Sequence, residues 1–325
     1  MIAFGPVPSR RLGRSLGINN IPPKICTYSC VYCQLGRTMK MQVGQSAFYE
    51  PVDITRAVQD KVEKATEVGE SIDYLTFVSD GEPSLDVNLG REIESLQSLG
   101  IKVAVITNSS LIGREDVREN LMQADWVSLK MDSVQEEIWR RINRPYGTLR
   151  LNSILDGALE FSQAFIGELA TETMLVAGIN DGERHLKEVA NFLACLQPAV
   201  AYLSIPTRPP AEEWVRAPDE AAINQAYQIL SEKVEQVECL IGYEGDAFAF
   251  TGNIEEDLLS ITSVHPMRED AVSEFLARAK ADWPVVHNLV EQDQLIETEY
   301  EGKRFYMRRL RRNDGHRTDP AQRDA

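Results

Sequence analysis

Short apolar runs alternate with amphipathic stretches along most of this chain, and that alternation limits its fold more than any other feature. Strands are predicted at 15–18, 72–79, 102–107, 126–131, 168–176 and 201–205, with a shorter one at 239–243. Between them, apolar residues at helical spacing predict helices at about 53–68, capped by Asp53, then up to 99, at 114–123, through a long region at about 135–164, and at 183–196 and 219–235. Strand alternating with helix means parallel strands with helices packed outside them. Six strand–helix units suit an open barrel better than a closed eight-unit one. In barrels of this kind chemistry gathers at the carboxyl ends of the strands.

The first such end leads into Cys26-Thr27-Tyr28-Ser29-Cys30-Val31-Tyr32-Cys33, a C-x3-C-x2-C run with no further cysteine before Cys195. Three thiolates can hold three irons of a cubane. A cluster that only carries electrons is normally held by four cysteines, whereas catalytic metal sites keep one position open. A structural zinc would want a fourth Cys or His ligand, and His185, His265, His287 and His316 all lie far downstream. Disulfides are disfavoured because five cysteines is an odd number and Pro8-Ser9-Arg10-Arg11 stands where a secretory apolar stretch would sit. The thiols are therefore expected to stay reduced in a cytoplasm. A chain of 325 residues, 43% of them hydrophobic, implies one large domain and a small one. Its apolar runs are too short to span a bilayer. A net charge of −16 argues against broad affinity for nucleic acid and leaves room only for a local basic patch.

The cysteine spacing, with the aromatic Tyr32 before the last cysteine, resembles the signature of the radical SAM enzymes, and further motifs over roughly 12–245 follow in that family's order. The resemblance implies that Cys26, Cys30 and Cys33 ligate a 4Fe-4S cluster whose fourth iron is chelated by S-adenosylmethionine. It also implies reductive cleavage to a 5'-deoxyadenosyl radical that abstracts hydrogen from a substrate, with a flavodoxin or ferredoxin as the reductant. The expected fold class is then α/β, a partial (β/α)6 TIM-type barrel at 1–262, with a small C-terminal winged-helix domain at 263–312 and a disordered tail at 313–325.

Ser79-Asp80-Gly81-Glu82-Pro83 resembles the family's Gly-Gly-Glu-Pro element for the methionine moiety of the cofactor, with Asp80 in place of the first glycine. It makes Gly81, Glu82 and Pro83 cofactor-binding candidates, with Glu82 placed to orient the ammonium; an ordinary Asp-Gly turn is the plainer alternative. Thr107 and Asn108 are candidates for cofactor or substrate hydroxyls, against a helix cap. Ser128, Lys130 and Asp132 share a strand face. A lysine inside a barrel is costly unless it meets an anion, so Lys130 is the expected partner of the cofactor carboxylate or of a substrate acid. By resemblance to the family, the strand ends at 176–181 and 204–210 flank the adenine, and Arg208 is a candidate substrate contact.

Arg10, Arg11 and Arg14 precede the first predicted strand, and arginine forks suit phosphate or carboxylate. With Tyr243-Glu244-Gly245 and His265-Pro266-Met267-Arg268, this segment resembles a branch near the tRNA wybutosine-synthesis enzymes. Those enzymes use a second cluster with three more cysteines; here only Cys195 and Cys239 remain, both read as core thiols. Toward the C-terminus, helices at about 266–281 and 283–292 precede a hairpin at 295–309 with its turn at Glu301-Gly302. Lys303, Arg304, Arg308 and Arg309, with Phe305 and Tyr306 among them, are candidate nucleic-acid contacts, against plain solvated charge. Winged helices also capture peptides by adding a strand. The favoured substrate is tRNA and the alternative is a peptide or metabolite docked by the winged helix. A DNA-binding iron–sulfur redox sensor is the reading from another class.

Overall fold

The computed structural model describes residues 2–241, 248, 250, 252–264 and 266–309. Strands β1 (Ala3–Ser9) and β2 (Gly13–Ile18) open the chain as an antiparallel hairpin. A short parallel pair, β3 (Ile25–Cys26) and β4 (Lys40–Met41), frames the cysteine loop. Helices and strands then alternate: α1 (Pro51–Glu67), β5 (Tyr74–Phe77), α2 (Leu89–Gln97), β6 (Lys102–Thr107), α3 (Glu115–Leu121) and β7 (Trp126–Lys130). The pattern continues through α4 (Glu136–Asn143), α5 (Leu151–Ala164), β8 (Glu168–Met174), α6 (Glu183–Leu196), β9 (Val200–Ser204), α7 (Glu220–Ser231) and β10 (Val237–Leu240).

The large sheet runs β1-β2-β5-β6-β7-β8-β9-β10, and every pairing from β2 onward is parallel. Spatial order follows chain order, and the sheet curls into a half-barrel with β1 and β10 as its edges. The predicted α/β partial barrel is therefore present; of its two edge strands, β10 matches the short strand expected at 239–243 and β1 is unexpected. Gly5, Pro6 and Pro8 hide β1 from a pattern reading, since proline gives a sheet no N–H and is tolerated at an edge or bulge. The β1–β2 register does shift between Phe4 and Val7. The long helix predicted at 135–164 is two helices, because Arg144 turns left-handed at φ 47° and Pro145 follows. Helix α1 starts at Pro51 behind Glu50, not at Asp53, as suits a proline in a first turn.

Alternate strand residues divide the two faces. Leu75, Phe77, Val103, Val105, Val127 and Leu129 pack outward with Ile54, Ile93, Phe161, Leu186 and Leu193 of the helices. Trp126, Ala170, Val200 and Tyr202 turn inward and meet Leu12. Leu12 comes from the β1–β2 turn, which folds into the barrel and fills its floor. At Gly17 an added Cβ would stand 2.0 Å from the Phe4 ring, so only glycine lets that ring cross β2.

The remaining elements are α8 (Ile254–Val264), β11 (Met267–Arg268), α9 (Glu269–Ala279), α10 (Pro284–Glu291), β12 (Leu295–Tyr300) and β13 (Lys303–Arg308). They build a core of their own around Leu258, Ile261, Val272, Phe275, Leu276, Val286, Leu289 and Tyr306, beneath a sheet of order β11-β13-β12. The two predicted helices and the hairpin are present. A further helix, α8, begins at Ile254, ahead of the expected start at 263. This unit packs on Val7 of β1 and meets α1 where Lys61 stands 3.7 Å from Asp257. Its hairpin tip reaches the barrel mouth, with the Tyr300 hydroxyl 3.2 Å from the Pro206 carbonyl. The motif at 243–245, His265, and the expected tail at 313–325 lie outside the described residues.

Candidate active site

Cys26 ends β3, and the loop beyond it coils tightly: Cys33 N–H donates to the Cys30 carbonyl (3.2 Å) and Gly36 N–H to that of Cys33 (3.0 Å). All three cysteines line one cavity of 320 Å³ at the carboxyl ends of the strands. Two carboxamides sit behind the sulfurs, Asn108 Nδ2 3.4 Å from Cys26 Sγ and Asn143 Nδ2 3.5 Å from Cys30 Sγ. Burial pushes the thiols up, Cys30 to about 12 with the Asp132 charge adding to it, and Cys26 and Cys33 also rise. Left alone they keep their protons, and a bound cation must drive the protons off. Among the described residues no three His, Cys, Asp or Glu side chains are grouped to hold a single metal ion. Three thiols set apart around a cavity suit a cluster that offers a separate corner to each.

Glu82 does not face this cavity. Its side chain is 1% exposed. The carboxylate accepts from Ser84 N–H (3.0 Å), Ser84 Oγ (2.6 Å), Thr107 Oγ1 (2.6 Å) and Asn108 N–H (2.7 Å). Burial raises its pKa while those hydrogen bonds pull the other way. Glu82 and Thr107 thus tie the ends of β5 and β6 together, and Asn108 supports Cys26 instead of turning to a ligand hydroxyl. Pro83 opens a buried turn whose carbonyl accepts from Asn20 Nδ2 (3.2 Å). What lines the cavity from this segment is Ser79, Asp80 and Gly81. A Cβ on Gly81 would stand 1.9 Å from the Ile25 carbonyl, so glycine lets the segment press on the cysteine loop. Asp80 is 3% exposed, its Oδ1 has no hydrogen-bond partner among the described residues, and burial pushes its pKa up to about 7.

The cavity wall opposite is ionic. Lys130 Nζ lies 2.6 Å from Glu172 Oε1, and Arg11 pairs with the other carboxylate oxygen. Ser204 Oγ adds a hydrogen bond of 2.8 Å. Burial would raise the Glu172 pKa, but Lys130 and Arg11 outweigh it and hold the group well below the usual carboxylate range. Lys130 also stands 5.1 Å from the centre of the Tyr32 ring, whose hydroxyl donates to Asp132. Asp132 further accepts from Asn143 Nδ2 (2.7 Å) and Met174 N–H (2.8 Å). The anion expected for Lys130 is the cofactor carboxylate or a substrate acid; the carboxylate beside it in the structure is Glu172 of the protein itself. Ser128 shares the face of Lys130 but is buried and outside the lining.

The candidate arginines separate. Arg11 and Arg208 line the cavity, Arg208 Nη1 bonding Gln34 Oε1 at 2.9 Å. Arg14 pairs with Glu70 and bonds the Ser71 carbonyl (3.1 Å), at the opposite end of the barrel, and Arg10 stays exposed on the turn. On the hairpin, Arg304 pairs with Glu269 (3.0 Å) and Glu297 (3.1 Å), Arg309 with Asp293 (2.8 Å), and Arg308 reaches the Leu259 carbonyl (3.4 Å). Lys303 is exposed. Phe305 and Tyr306 are core residues, 1% and 2% exposed, which removes them as contacts for a base. Sequence reasoning missed a charged cluster at the cysteine loop: Arg37 and Arg144 flank Glu212 at 2.8 and 2.5 Å, and Glu212 N–H donates to the Val31 carbonyl at 3.1 Å. Asn143, Asp132 and Glu172 also escaped a site assignment; only the shared face of Lys130 and Asp132 hinted at them.

The family model described as the radical SAM superfamily matches residues 20–193. This chain belongs to the radical SAM superfamily. An uncharacterised UPF0026 protein from Methanocaldococcus jannaschii is 46% identical over 321 residues, covering 98% of this chain and 99% of its own. A radical SAM methyltransferase structure from Sphaerobacter thermophilus superposes with a TM-score of 0.54 at 16% identity, over 70% of this chain and 66% of that one. Structures of TYW1 are further neighbours; one bearing a lysine–pyruvate adduct gives a TM-score of 0.49 at 18% identity, over 68% and 74% of the chains. The chain is accordingly a radical SAM enzyme, whose family cofactors are a 4Fe-4S cluster and S-adenosylmethionine. Among the described residues no helix is long and apolar enough to cross a membrane.

Proposed function

We propose that Cys26, Cys30 and Cys33 hold the 4Fe-4S cluster and that the cavity they line binds S-adenosylmethionine. The observation carrying this is that one cavity joins all three cysteines to Gly81, Lys130 and a carboxylate, Asp80, with an unpartnered oxygen. The donor set fits: three thiols, two of them backed by carboxamide N–H groups, leave a fourth corner for a ligand. Once bound and reduced, the group supplies a 5'-deoxyadenosyl radical that takes a hydrogen atom from the substrate. The protein's part is to orient and to exclude water. Asn108 and Asn143 fix and polarise the sulfurs, while Tyr32, Asp132 and Asn143 lock the loop to β7 and β8. Arg11, Lys130 and Glu172 form a charged wall of the cavity, held together by the two ion pairs on Glu172.

For the substrate we propose RNA, with tRNA as the first to test. A cavity of 320 Å³ is at the small end for ligand sites, so a cofactor fills it and the reacting group projects in from a larger molecule. Lys24 and Arg208 line the cavity, and Arg37 and Arg144 gather on Glu212 next to the cysteine loop, cations that suit a polyanion. In this reading the C-terminal unit is a winged-helix docking module set beside the mouth, and a flavodoxin or ferredoxin delivers the electron. A bound peptide is the second reading, supported by the unit's three-stranded sheet.

The test is anaerobic reconstitution with iron and sulfide, then dithionite and S-adenosylmethionine, with chromatography for 5'-deoxyadenosine. Its formation, lost in Cys33→Ala, is the expected result; a loaded cluster that never cleaves the cofactor would overturn the reading. Changing Arg37 and Arg144 together to Gln should weaken binding of unfractionated tRNA and flatten its salt dependence. Unaltered affinity there would shift the choice to a peptide.

A further inference from the structure

The cysteine loop leaves the large sheet after β2, yet it is fastened to the segment that follows β9, and four strands separate those two in the sheet. That segment, residues 205–216, has no regular structure and lies along the barrel mouth as a strap. Ile205, Pro206, Thr207 and Arg208 line the cavity, and Arg208 Nη1 reaches Gln34 Oε1 at 2.9 Å. Further on, Val215 is fully buried with Val31, Ile142, Val176 and Ile179, and the Arg216 carbonyl accepts from Ala177 N–H at 3.0 Å.

Glu212 joins strap to loop. Its N–H donates to the Val31 carbonyl at 3.1 Å. Its carboxylate takes the Arg37 guanidinium as a fork, Nε at 2.8 Å and Nη2 at 2.9 Å, and accepts from Arg144 Nη1 at 2.5 Å. Arg37 belongs to the cysteine loop, past Cys33, and Arg144 follows Asn143, whose Nδ2 stands 3.5 Å from Cys30 Sγ. One carboxylate thus holds both the loop and the turn that backs it. A forked arginine–carboxylate contact fixes orientation as well as distance. The Arg37 side chain is 71% exposed and that of Arg144 39%, against 8% for Glu212. Water can replace a lost partner of such cations, so the contact contributes little to the fold as a whole and acts on the loop.

We infer that Glu212 is a positioning residue that clasps the cysteine loop shut and thereby sets how fast the cluster is released. The inference rests on the assignment of the cluster to Cys26, Cys30 and Cys33. With the clasp made, the three thiols stay aimed at one cavity. With it broken, the stretch from Val31 to Arg37 peels from the strap and admits water and chelator to the irons.

The experiment follows the anaerobic loss of cluster absorbance to excess bathophenanthroline from reconstituted wild type, Glu212→Gln, Arg37→Gln and the double variant, with melting temperatures taken on the full chain before loading. Each variant should load a full cluster, melt with wild type, and lose iron about tenfold faster, the size of one hydrogen bond to a charged group. The double variant should be no faster than Glu212→Gln, since both changes break one contact. High salt should speed release from wild type and leave Glu212→Gln unchanged. Release at the wild-type rate in Glu212→Gln overturns the inference and leaves the cluster assignment standing. Faster release with a lowered melting temperature, or additive effects in the double variant, also overturns it, because general loosening would behave that way. A full cluster in Cys26→Ala, Cys30→Ala and Cys33→Ala alike overturns the cluster assignment and the inference with it. Where Glu212→Gln yields no folded protein, Arg37→Gln decides by the same readings.

Discussion

Glu172 and Arg304 each join two oppositely charged partners, yet they sit in different worlds. The side chains of Lys130 and Arg11 are 15% exposed and that of Glu172 is 10%, whereas Arg304 is 50% exposed and its partners Glu269 and Glu297 are 48% and 46%. In the barrel, taking one partner away strands charges that have lost their water. On the hairpin, water replaces a lost partner at little cost. Cationic character read from sequence is the same in both places. Burial decides whether it builds a site wall or merely decorates a turn, and this is why the hairpin arginines are weaker candidates for substrate contact than their number suggests.

The sharpest contrast lies between cysteines. Replacing Cys26, Cys30 or Cys33 by Ala should abolish the brown cluster absorbance after reconstitution, while exposed Cys195→Ala leaves it intact; retention of a full cluster in all three would break the comparison outright. Next, Glu172→Ala should destabilise the fold by about 3–5 kcal/mol in urea unfolding, since it removes the carboxylate shared by two largely desolvated cations. A loss below 1 kcal/mol would mean that the barrel mouth is as wet as the hairpin.

Glu92 sharpens the comparison with a buried carboxylate that forms no ion pair among the described residues. Its residue is fully buried, Asp86 lies nearby, and Asn20 donates at 3.2 Å; burial first and Asp86 second push the pKa up to about 8. A folded-state value above the unfolded one favours the protonated form in the fold. That contribution is complete below about pH 4.5 and is lost as pH rises through about 8. Glu92→Gln should therefore remove this loss, gaining on wild type between pH 5 and 9 in thermal melts, and parallel pH profiles would refute it. The smallest effect belongs to Arg304→Ala, expected to cost less than about 1 kcal/mol and less still in high salt.

The barrel was legible because each strand carries its own apolar run and each helix its own period. The cysteine triad was legible because its members are neighbours in sequence. Asn143, Asp132 and Glu172 were not, since each comes from the end of a different element and acquires meaning only when the sheet curls. Strand β1 escaped through its prolines. Glu82 shows a subtler limit: sequence placed the residue correctly but could not say which way its carboxylate turns. The clue was the serine two residues on, a pattern for local hydrogen bonding.

The β1–β2 turn has a consequence for how the chain is made. Arg11 waits for a partner 161 residues further along, and Cys26 and Cys30 wait for Asn108 and Asn143. At about 5–20 residues per second of synthesis, the thiols spend on the order of 10 seconds outside any finished pocket. The floor of the barrel is laid first and its walls arrive last, so, on the proposed assignment of the cluster to Cys26, Cys30 and Cys33, metal loading would follow synthesis of the whole pocket.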